Sequence, residues 1–276
     1  MFATLNNSET FRVLSLNLRY DSQPDRQPVS ETIKNLPDPL RPRQAYYHDT
    51  DERPWSERRI AVANEVLFNN VDLIGFQEAL ERQVKDLHQL LGLKEWGWAG
   101  VGRDDGDVGG EYSPIFYKKS KLTLKYCDTF WLSNQPFICG SRYPGAGSVR
   151  ICTVARFITS SGGTLTVMAT HWDDQSDLQR QLAASLILHR AHHESVKNGS
   201  EVILLGDFNS PGTGRDSGGY DIITGARSPL EINGKFKERY PVDNNNAFKM
   251  VDFLSRVPRQ FVSGHHGELL HHTRVP

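Results

Sequence analysis

Four apolar segments of the chain each end at a polar residue that can bind a cation or a phosphate. They cover residues 11–18, 71–76, 165–169 and 202–205. Short continuous apolar runs of this kind predict buried strands. The polar residues at their ends include Asn17, Glu78, His171 and Asp207. Four such ends predict one shared mouth lined by metal ligands and acid–base groups.

The segment Leu-Gly-Asp-Phe-Asn at 205–209 carries the strongest single signal. Asp207 and Asn209 are two residues apart, so their side chains share a face of an extended chain. A carboxylate and an amide placed there can orient a water molecule and bind a hard cation or a phosphate oxygen. Asp-x-Asn after a strand is also a common Asx-type turn. On this segment alone, that alternative stays open.

The segments between these strands predict helices that cover two sheets. Amphipathic patterns predict helices near 56–70, 80–91 and 178–199, with Ser56 as the N-cap of the first. Short strands with Gly, Ser and Pro turns are predicted from 96 to 158, and a hairpin turn at 160–163. Strands in two blocks with helices between them predict two packed sheets with helices outside.

Length and composition restrict the function only weakly. The 276 residues fit one domain, 1–276, with a core at 11–262 and a Pro-rich inserted surface loop at 22–54. The 32 basic and 33 acidic residues leave a net charge of −1, which gives no sign of a strongly basic nucleic-acid groove. Three widely spaced cysteines, Cys127, Cys139 and Cys152, predict buried free thiols.

The chain carries no apolar run of the roughly 18 residues needed to cross a membrane. Its first ten residues are polar and lack the apolar region of a secretory signal. These two observations predict a cytoplasmic or nuclear location and no transmembrane segment. Nothing in the sequence predicts a protein partner.

Five motifs stand at or near the predicted strand ends. They are Leu-Asn-Leu-Arg-Tyr-Asp at 16–21, Gly-Phe-Gln-Glu-Ala at 75–79, Gly-Glu-Tyr-Ser-Pro-Ile-Phe-Tyr at 110–117, Ala-Thr-His-Trp-Asp at 169–173 and Gly-Asp-Phe-Asn at 206–209. In content and order they resemble the endonuclease/exonuclease/phosphatase superfamily, a metal-dependent group. The resemblance implies a four-layer α/β sandwich of two mixed β-sheets packed face to face, with helices outside. It also implies a Mg²⁺ cofactor, with Mn²⁺ as an alternative.

The resemblance implies a role for each residue that matches one of the family's motifs. Glu78 takes the metal-binding position, with a helix N-cap acid as the alternative. Asn17 takes the position that helps to hold the metal and its waters, with a plain polar strand end as the alternative. His171 takes the position of a donor to a phosphate oxygen. Asp207 would orient the attacking water, and Asn209 would polarise the scissile phosphate.

Four further residues are predicted to contact the substrate. Arg150 matches a family arginine near the phosphate, and a bidentate guanidinium suits that contact; a solvated strand-end arginine is the alternative. Glu111 and Tyr112 lie in a Gly-rich turn where family members often hold a tyrosine near the substrate. Asp173 either joins the site or anchors its loop by an Asx turn.

The C-terminal part departs from the family pattern. The family ends in a strand like Ile-Asp-Tyr-Ile and a later Ser-Asp-His, and no Asp-His dipeptide occurs in this chain. Val251–Leu254 resembles the first of these elements only superficially. The fold is therefore expected to be incomplete at the C-terminus, with the sequence altered near residue 262. The alternative is that His265 or His266 takes over the catalytic role.

The sequence thus predicts a Mg²⁺-dependent hydrolase of phosphate esters that acts by in-line attack of an activated water. A phosphorylated small molecule, a lipid head group and a nucleic acid all remain open as substrates. Two alternatives stay beside this prediction. One is a catalytically impaired member that binds a phosphorylated ligand or a partner. The other is a lectin-like or structural α/β protein.

Overall fold

The computed structural model describes residues 2–4, 9–23, 25–36, 53–242, 248–253 and 273–275. The strands are β1 (Phe2–Thr4), β2 (Thr10–Asn17), β3 (Leu73–Gln77), β4 (Trp96–Ala99), β5 (Ile115–Lys118), β6 (Leu122–Trp131), β7 (Ile151–Thr159), β8 (Thr164–His171), β9 (Glu201–Asp207), β10 (Val251–Asp252) and β11 (Thr273–Val275). The helices are α1 (Val29–Lys34), α2 (Trp55–Phe68), α3 (Glu81–Leu91), α4 (Asp177–Asn198), α5 (Gly218–Thr224) and α6 (Gly234–Arg239).

The strands form two mixed sheets, as the sequence predicts. The first has the order β1-β2-β3-β5-β4, and the second β10-β11-β9-β8-β7-β6. Within them, β2 runs parallel to β3, and β8 runs parallel to β9. The other neighbours are antiparallel, including the β7–β8 hairpin that turns at 160–163. Each sheet therefore contains one parallel pair whose carboxyl ends lie side by side.

Three apolar layers confirm the four-layer sandwich. The middle layer joins the facing sides of the two sheets and includes Phe11, Leu73, Phe157 and Ile203. A second layer packs α2 and α3 on the first sheet, and a third packs α4 and α5 on the second. Since side chains alternate between the faces of a strand, odd-numbered residues of β2, β3, β8 and β9 face the middle layer.

Gly75 of β3 lies against Leu205 of β9 and Ala169 of β8, where the two sheets pack closely. A Cβ atom added at Gly75 would lie 2.7 Å from the Leu205 Cβ and 3.5 Å from the Ala169 Cβ. The first distance is too short for two carbon atoms, so only glycine allows this spacing without a shift. The contact brings β3 against β8 and β9, and hence brings the two parallel pairs together.

Some local predictions are wrong. Residues 29–34 of the predicted loop form helix α1, which follows Pro28, and residues 37–52 lie outside the described chain. Helix α2 begins at Trp55 with Pro54 as its N-cap, and the Ser56 hydroxyl, predicted to cap the helix, bonds Asp25 instead.

The prediction that the cysteines are free thiols is confirmed, but the prediction that all three are buried is wrong. All three thiols are free, but only Cys152 is buried, whereas Cys127 and Cys139 are exposed. Cys127 lies on β6, which is the edge strand of the second sheet, and Cys139 lies in the loop that follows. An edge strand and a loop leave side chains open to water, and sequence spacing alone does not reveal this.

The expected gap beside β9 is filled over a short length. Strand β11 pairs with β9 at Thr273–Leu205 and Arg274–Leu204, and β10 pairs with β11. This pairing covers the edge that a missing terminal strand would leave open. Residues 254–272, which hold His265 and His266, lie outside the described chain. Among the helices that are described, none has the length and apolar content needed to cross a membrane.

We expect Gly75→Ala to lower the free energy of unfolding by about 1–3 kcal/mol, because the added methyl group forces apart the sheets at Leu205. Urea denaturation measures this change. Gly234→Ala is the matched control, since a Cβ at Gly234 meets nothing within 4 Å. Equal stability of Gly75→Ala and the wild type would show that the sheets do not depend on this contact.

Candidate active site

A cleft of about 260 Å³ opens where the carboxyl ends of β2, β3, β8 and β9 meet. Six of the nine predicted site residues line it: Glu78, Glu111, Arg150, His171, Asp207 and Asn209. Its other lining residues are Arg19, Tyr20, Arg103, Ser148 and Asp174. The structure thus brings together residues that are up to about 190 positions apart along the chain, as in the Asn17–Asp207 contact.

Asn17 links the two cleft carboxylates that come from different sheets. Its Nδ2 donates to Glu78 Oε1 at 2.8 Å and to Asp207 Oδ2 at 3.2 Å. Its Oδ1 accepts from the backbone N–H of Arg19 at 2.8 Å. One neutral amide therefore holds two anionic groups close to each other. This arrangement places Asn17 beneath the cleft.

The backbone at the cleft adopts an uncommon conformation. Five non-glycine residues of the described chain have a positive φ, and three of them line the cleft: Arg19 (56°), Glu78 (57°) and Asn209 (44°). In β3, odd-numbered residues face the middle layer, so a regular strand would direct Glu78 away from it. The left-handed turn at Glu78 changes that direction, and the carboxylate reaches Asn17 and the Tyr20 N–H.

His171 and Asn209 form a second pair on the β8–β9 side. Asn209 Nδ2 lies 3.1 Å from His171 Nε2 and 3.0 Å from the Trp172 carbonyl oxygen. Burial, and then the charge of Arg150, hold the pKa of His171 well below its usual value, although Asp207 acts in the opposite direction. The imidazole is therefore neutral at pH 7. Since an amide N–H can only donate, Nε2 accepts and the ring proton lies on Nδ1.

Arg150 lies at the start of β7 and is 5 % exposed. Its Nη2 donates to Asp174 Oδ1 at 3.1 Å. Its Nε is buried and has no hydrogen-bond partner among the described residues. The solvated strand-end arginine considered from sequence is therefore wrong, because this guanidinium is held inside the protein beside the cleft.

Arg103 is a cleft residue that the sequence patterns do not reveal. Its Nη1 donates to Glu111 Oε2 at 2.6 Å, and the two side chains are 17 % and 18 % exposed. Burial raises the pKa of Glu111, although the charge of Arg103 opposes this. Arg103 lies in an irregular loop without apolar periodicity, so only its place beside the Gly-Glu-Tyr motif hints at the site.

Tyr112 and Asp173 do not line the cleft. The Tyr112 hydroxyl donates to the Asp107 carbonyl oxygen at 2.9 Å, and its ring is buried against Trp98. Asp173 is fully buried and accepts from the backbone N–H groups of Gly147, Gln175 and Ser176, and more weakly from that of Ser148. These contacts match the loop-anchoring alternative for Asp173 and not a substrate contact.

The residues around Asn17 fit a hard cation. Magnesium sites in proteins often use one or two carboxylates completed by water and substrate oxygens. Glu78 and Asp207 supply two carboxylates, and Arg19 approaches Glu78 only at 4.0 Å with a side chain that is 57 % exposed, where water weakens the attraction. Within the described chain no group of three or more His, Cys, Asp or Glu residues forms a metal cluster. Glu78 and Asp207, with the Asn17 amide, are thus the residues suited to a cation.

The C-terminal element predicted from Val251–Leu254 is present only as β10, Val251–Asp252. Asp252 accepts from the Tyr220 hydroxyl at 3.3 Å. His265 and His266 fall outside the described residues, and so do His271 and His272. The assignment of a late catalytic histidine stays a prediction.

Comparisons with known proteins agree on the family. The model of the Endonuclease/Exonuclease/phosphatase family matches residues 14–265. A Bacteroides vulgatus structure described as an endonuclease/exonuclease/phosphatase is 28% identical, with a TM-score of 0.61 over 78% of this chain and 70% of that chain. The mannosyl-6-phosphatase of Bacteroides thetaiotaomicron VPI-5482 is 26% identical, with a TM-score of 0.60 over 75% and 68%.

More distant structures share the fold alone. ANGEL2, described as a 2',3'-cyclic phosphatase, is 18% identical, with a TM-score of 0.52 over 78% of this chain and 56% of that chain. No curated protein matches the chain.

We expect Asp173→Asn to lower the free energy of unfolding by about 2 kcal/mol at pH 7, because one charged acceptor of buried N–H groups is lost. Burial opposes ionisation of Asp173, but these N–H donors outweigh it and hold its pKa below the usual value. Its stabilisation is therefore complete above about pH 4 and is lost as the pH falls through the folded pKa. Urea denaturation at several pH values should show the two proteins converging in acid; a constant difference would contradict the assignment.

Proposed function

We propose that this chain, which belongs to the endonuclease/exonuclease/phosphatase family, is a Mg²⁺-dependent hydrolase of phosphoric esters that also accepts Mn²⁺. The observation that carries the proposal is the meeting of Asn17, Glu78, His171, Asp207 and Asn209 at one cleft. They come from four strands of two sheets. Incidental polar strand ends would not converge on one another by direct hydrogen bonds.

Glu78 and Asp207 would hold the metal, with Asn17 fixing their separation. When bound, Mg²⁺ supplies positive charge that stabilises the transition state of phosphoryl transfer. Phosphoryl transfer to water depends mainly on positioning and on neutralisation of charge, so ordered carboxylates and donors suffice for most of the catalysis. The second Asp207 oxygen, Oδ1, accepts from the Asn209 N–H at 3.2 Å, which ties the water-orienting carboxylate to the strand end.

Asn209 and His171 would act together on the phosphate. The Asn209 amide donates both of its N–H groups, one to His171 Nε2 and one to the Trp172 carbonyl oxygen, and these bonds set its orientation before the substrate binds. To polarise a phosphate oxygen, Asn209 would redirect one of these two donors to the substrate. His171 thereby positions Asn209 by accepting a hydrogen bond from its amide, and Arg150 supplies a guanidinium for the phosphate oxygens.

The solved structures support a phosphatase over a nuclease. One solved structure above 25% identity has a stated activity, and it is a mannosyl-6-phosphatase. The acidic and basic residues of this chain are nearly equal in number, and its calculated pI is about 6.8. A surface of this composition lacks the general positive charge that draws nucleic acids to a protein.

We expect the purified chain to hydrolyse p-nitrophenyl phosphate with Mg²⁺ and to lose this activity in EDTA. Asp207→Asn should lower kcat at least 100-fold with little change in KM, because the loss falls on the transition state. Glu231→Gln is the matched control, since the Glu231 side chain is 85 % exposed, bonds Lys237 and does not line the cleft. Metal-independent turnover, or turnover that survives Asp207→Asn, would rule out this site as the source of activity.

We expect Glu78→Gln to weaken Mg²⁺ binding at least tenfold, or about 1.4 kcal/mol, because a full charge leaves the metal ligands. Isothermal titration measures the affinity without any substrate. Glu231→Gln again serves as the control and should bind Mg²⁺ with wild-type affinity. If Glu78→Gln and the wild type bind equally well, Glu78 is not a ligand.

A further inference from the structure

The loop at residues 102–111 is held by hydrogen bonds between its own backbone groups, and it places Arg103 at the wall of the cleft. Between residues 102 and 111, the Gly102 N–H donates to the Asp107 carbonyl at 2.8 Å and the Arg103 N–H to the Glu111 carbonyl at 3.1 Å. From outside the loop, Trp131 Nε1 donates to the Arg103 carbonyl at 2.7 Å. The backbone of Arg103 is thus fixed from both sides. Its side chain is fixed as well, by the bond to Glu111.

The cleft wall near Arg103 contains buried hydrogen-bond donors that have no acceptor among the described residues. Arg103 and Arg150 both line the cleft, and the charge of Arg103, after burial, helps to lower the pKa of Arg150. Two guanidinium groups that line one partly buried cleft repel each other. Arg150 Nε and His171 Nδ1 are buried and have no hydrogen-bond partner among the described residues. A buried donor without a partner is costly, so this wall is suited to an anion.

We propose that Arg103 is a specificity-determining residue that, together with Arg150, binds the terminal phosphate of a phosphomonoester. The inference rests on the proposed function, because it concerns the same cleft. A phosphomonoester carries close to two negative charges at neutral pH and presents three terminal oxygens. A phosphodiester carries one charge and presents two. Two guanidinium groups, each able to donate from a planar fork, match the monoester better.

The size of the cleft agrees with this assignment. Its volume of about 260 Å³ lies below the roughly 300–1,000 Å³ typical of pockets for drug-sized ligands. A diester needs room for substituents on both sides of the phosphorus atom. Among the described lining residues, Tyr20 is the only Phe, Tyr or Trp, and the Arg19 guanidinium already lies 4.4 Å from its ring centroid. The described wall therefore offers little surface for stacking the bases of a polynucleotide.

Glu111 acts as a positioning residue for Arg103. The pair is largely shielded from water, so the bond restrains the guanidinium more firmly than an exposed pair would. Glu111 also offsets part of the charge of Arg103 when no substrate is bound.

Titration with inorganic phosphate tests Arg103 without any turnover. In Mg²⁺ buffer, Arg103→Gln should weaken phosphate binding at least tenfold by isothermal titration. Arg103→Lys keeps the charge beside Glu111 but lacks the planar fork, so it should fall between Arg103→Gln and the wild type. Arg142→Gln, an exposed arginine that does not line the cleft, is the matched control and should equal the wild type. Circular dichroism confirms folding, and Arg103→Lys replaces Arg103→Gln if the latter does not fold.

The same variants are then assayed on p-nitrophenyl phosphate and bis(p-nitrophenyl) phosphate. Arg103→Gln should lower kcat/KM at least tenfold more for the monoester than for the diester. Equal losses on both esters, or unchanged phosphate affinity in both Arg103 variants, would overturn the inference. A wild-type chain that hydrolyses neither ester would refute the proposed function alone. In that case the phosphate titration still decides: tenfold weaker binding supports the role of Arg103, and unchanged or absent binding refutes it.

Discussion

The contact between the two sheets at Gly75 is the constraint on which the site depends. β3 lies against β8 and β9 at a distance that leaves no room for a Cβ atom at this position. The parallel pairs β2–β3 and β8–β9 therefore end at the same mouth. A wider spacing would move Glu78 away from Asp207, and the single Asn17 amide could no longer bond both carboxylates. The arrangement of the cleft side chains thus depends on the packing of the apolar middle layer.

Three residues with a positive φ lie just beyond the strand ends that form the cleft, and their backbone conformation is strained. A non-glycine residue with a positive φ costs on the order of 1–3 kcal/mol when its surroundings enforce it. Here local hydrogen bonds offset part of that cost. The Arg19 N–H donates to Asn17 Oδ1, and the Asn209 N–H donates to Asp207 Oδ1. The turns at Arg19, Glu78 and Asn209 therefore belong to the same network that orders the cleft side chains.

Most of the fold and part of the site could be predicted from the sequence, for a simple physical reason. Asn17, His171 and Asp207 continue the odd-numbered rows of β2, β8 and β9 that face the middle layer, so a period of two places them at the mouth. Glu78 breaks that period: its place at the mouth was predicted from the end of the apolar run 71–76, and its metal-binding role only from the family motif. Arg103 could not be predicted, because it reaches the cleft through loop hydrogen bonds that leave no pattern in the sequence.

The charged side chains on the two sides of the cleft have different partners, and this difference would fix the orientation of a bound ester. Each arginine beside His171 has a carboxylate partner of its own: Arg103 bonds Glu111, and Arg150 bonds Asp174. Glu78 and Asp207, by contrast, share one neutral amide, and Arg19 approaches Glu78 only at 4.0 Å with a side chain that is largely exposed. Under the proposed function, a cation would therefore be held beside Asn17. A bound cation would neutralise part of the negative charge of a phosphate, and Arg103 and Arg150 would attract the rest. The ester would then lie between the two sides of the cleft in one orientation.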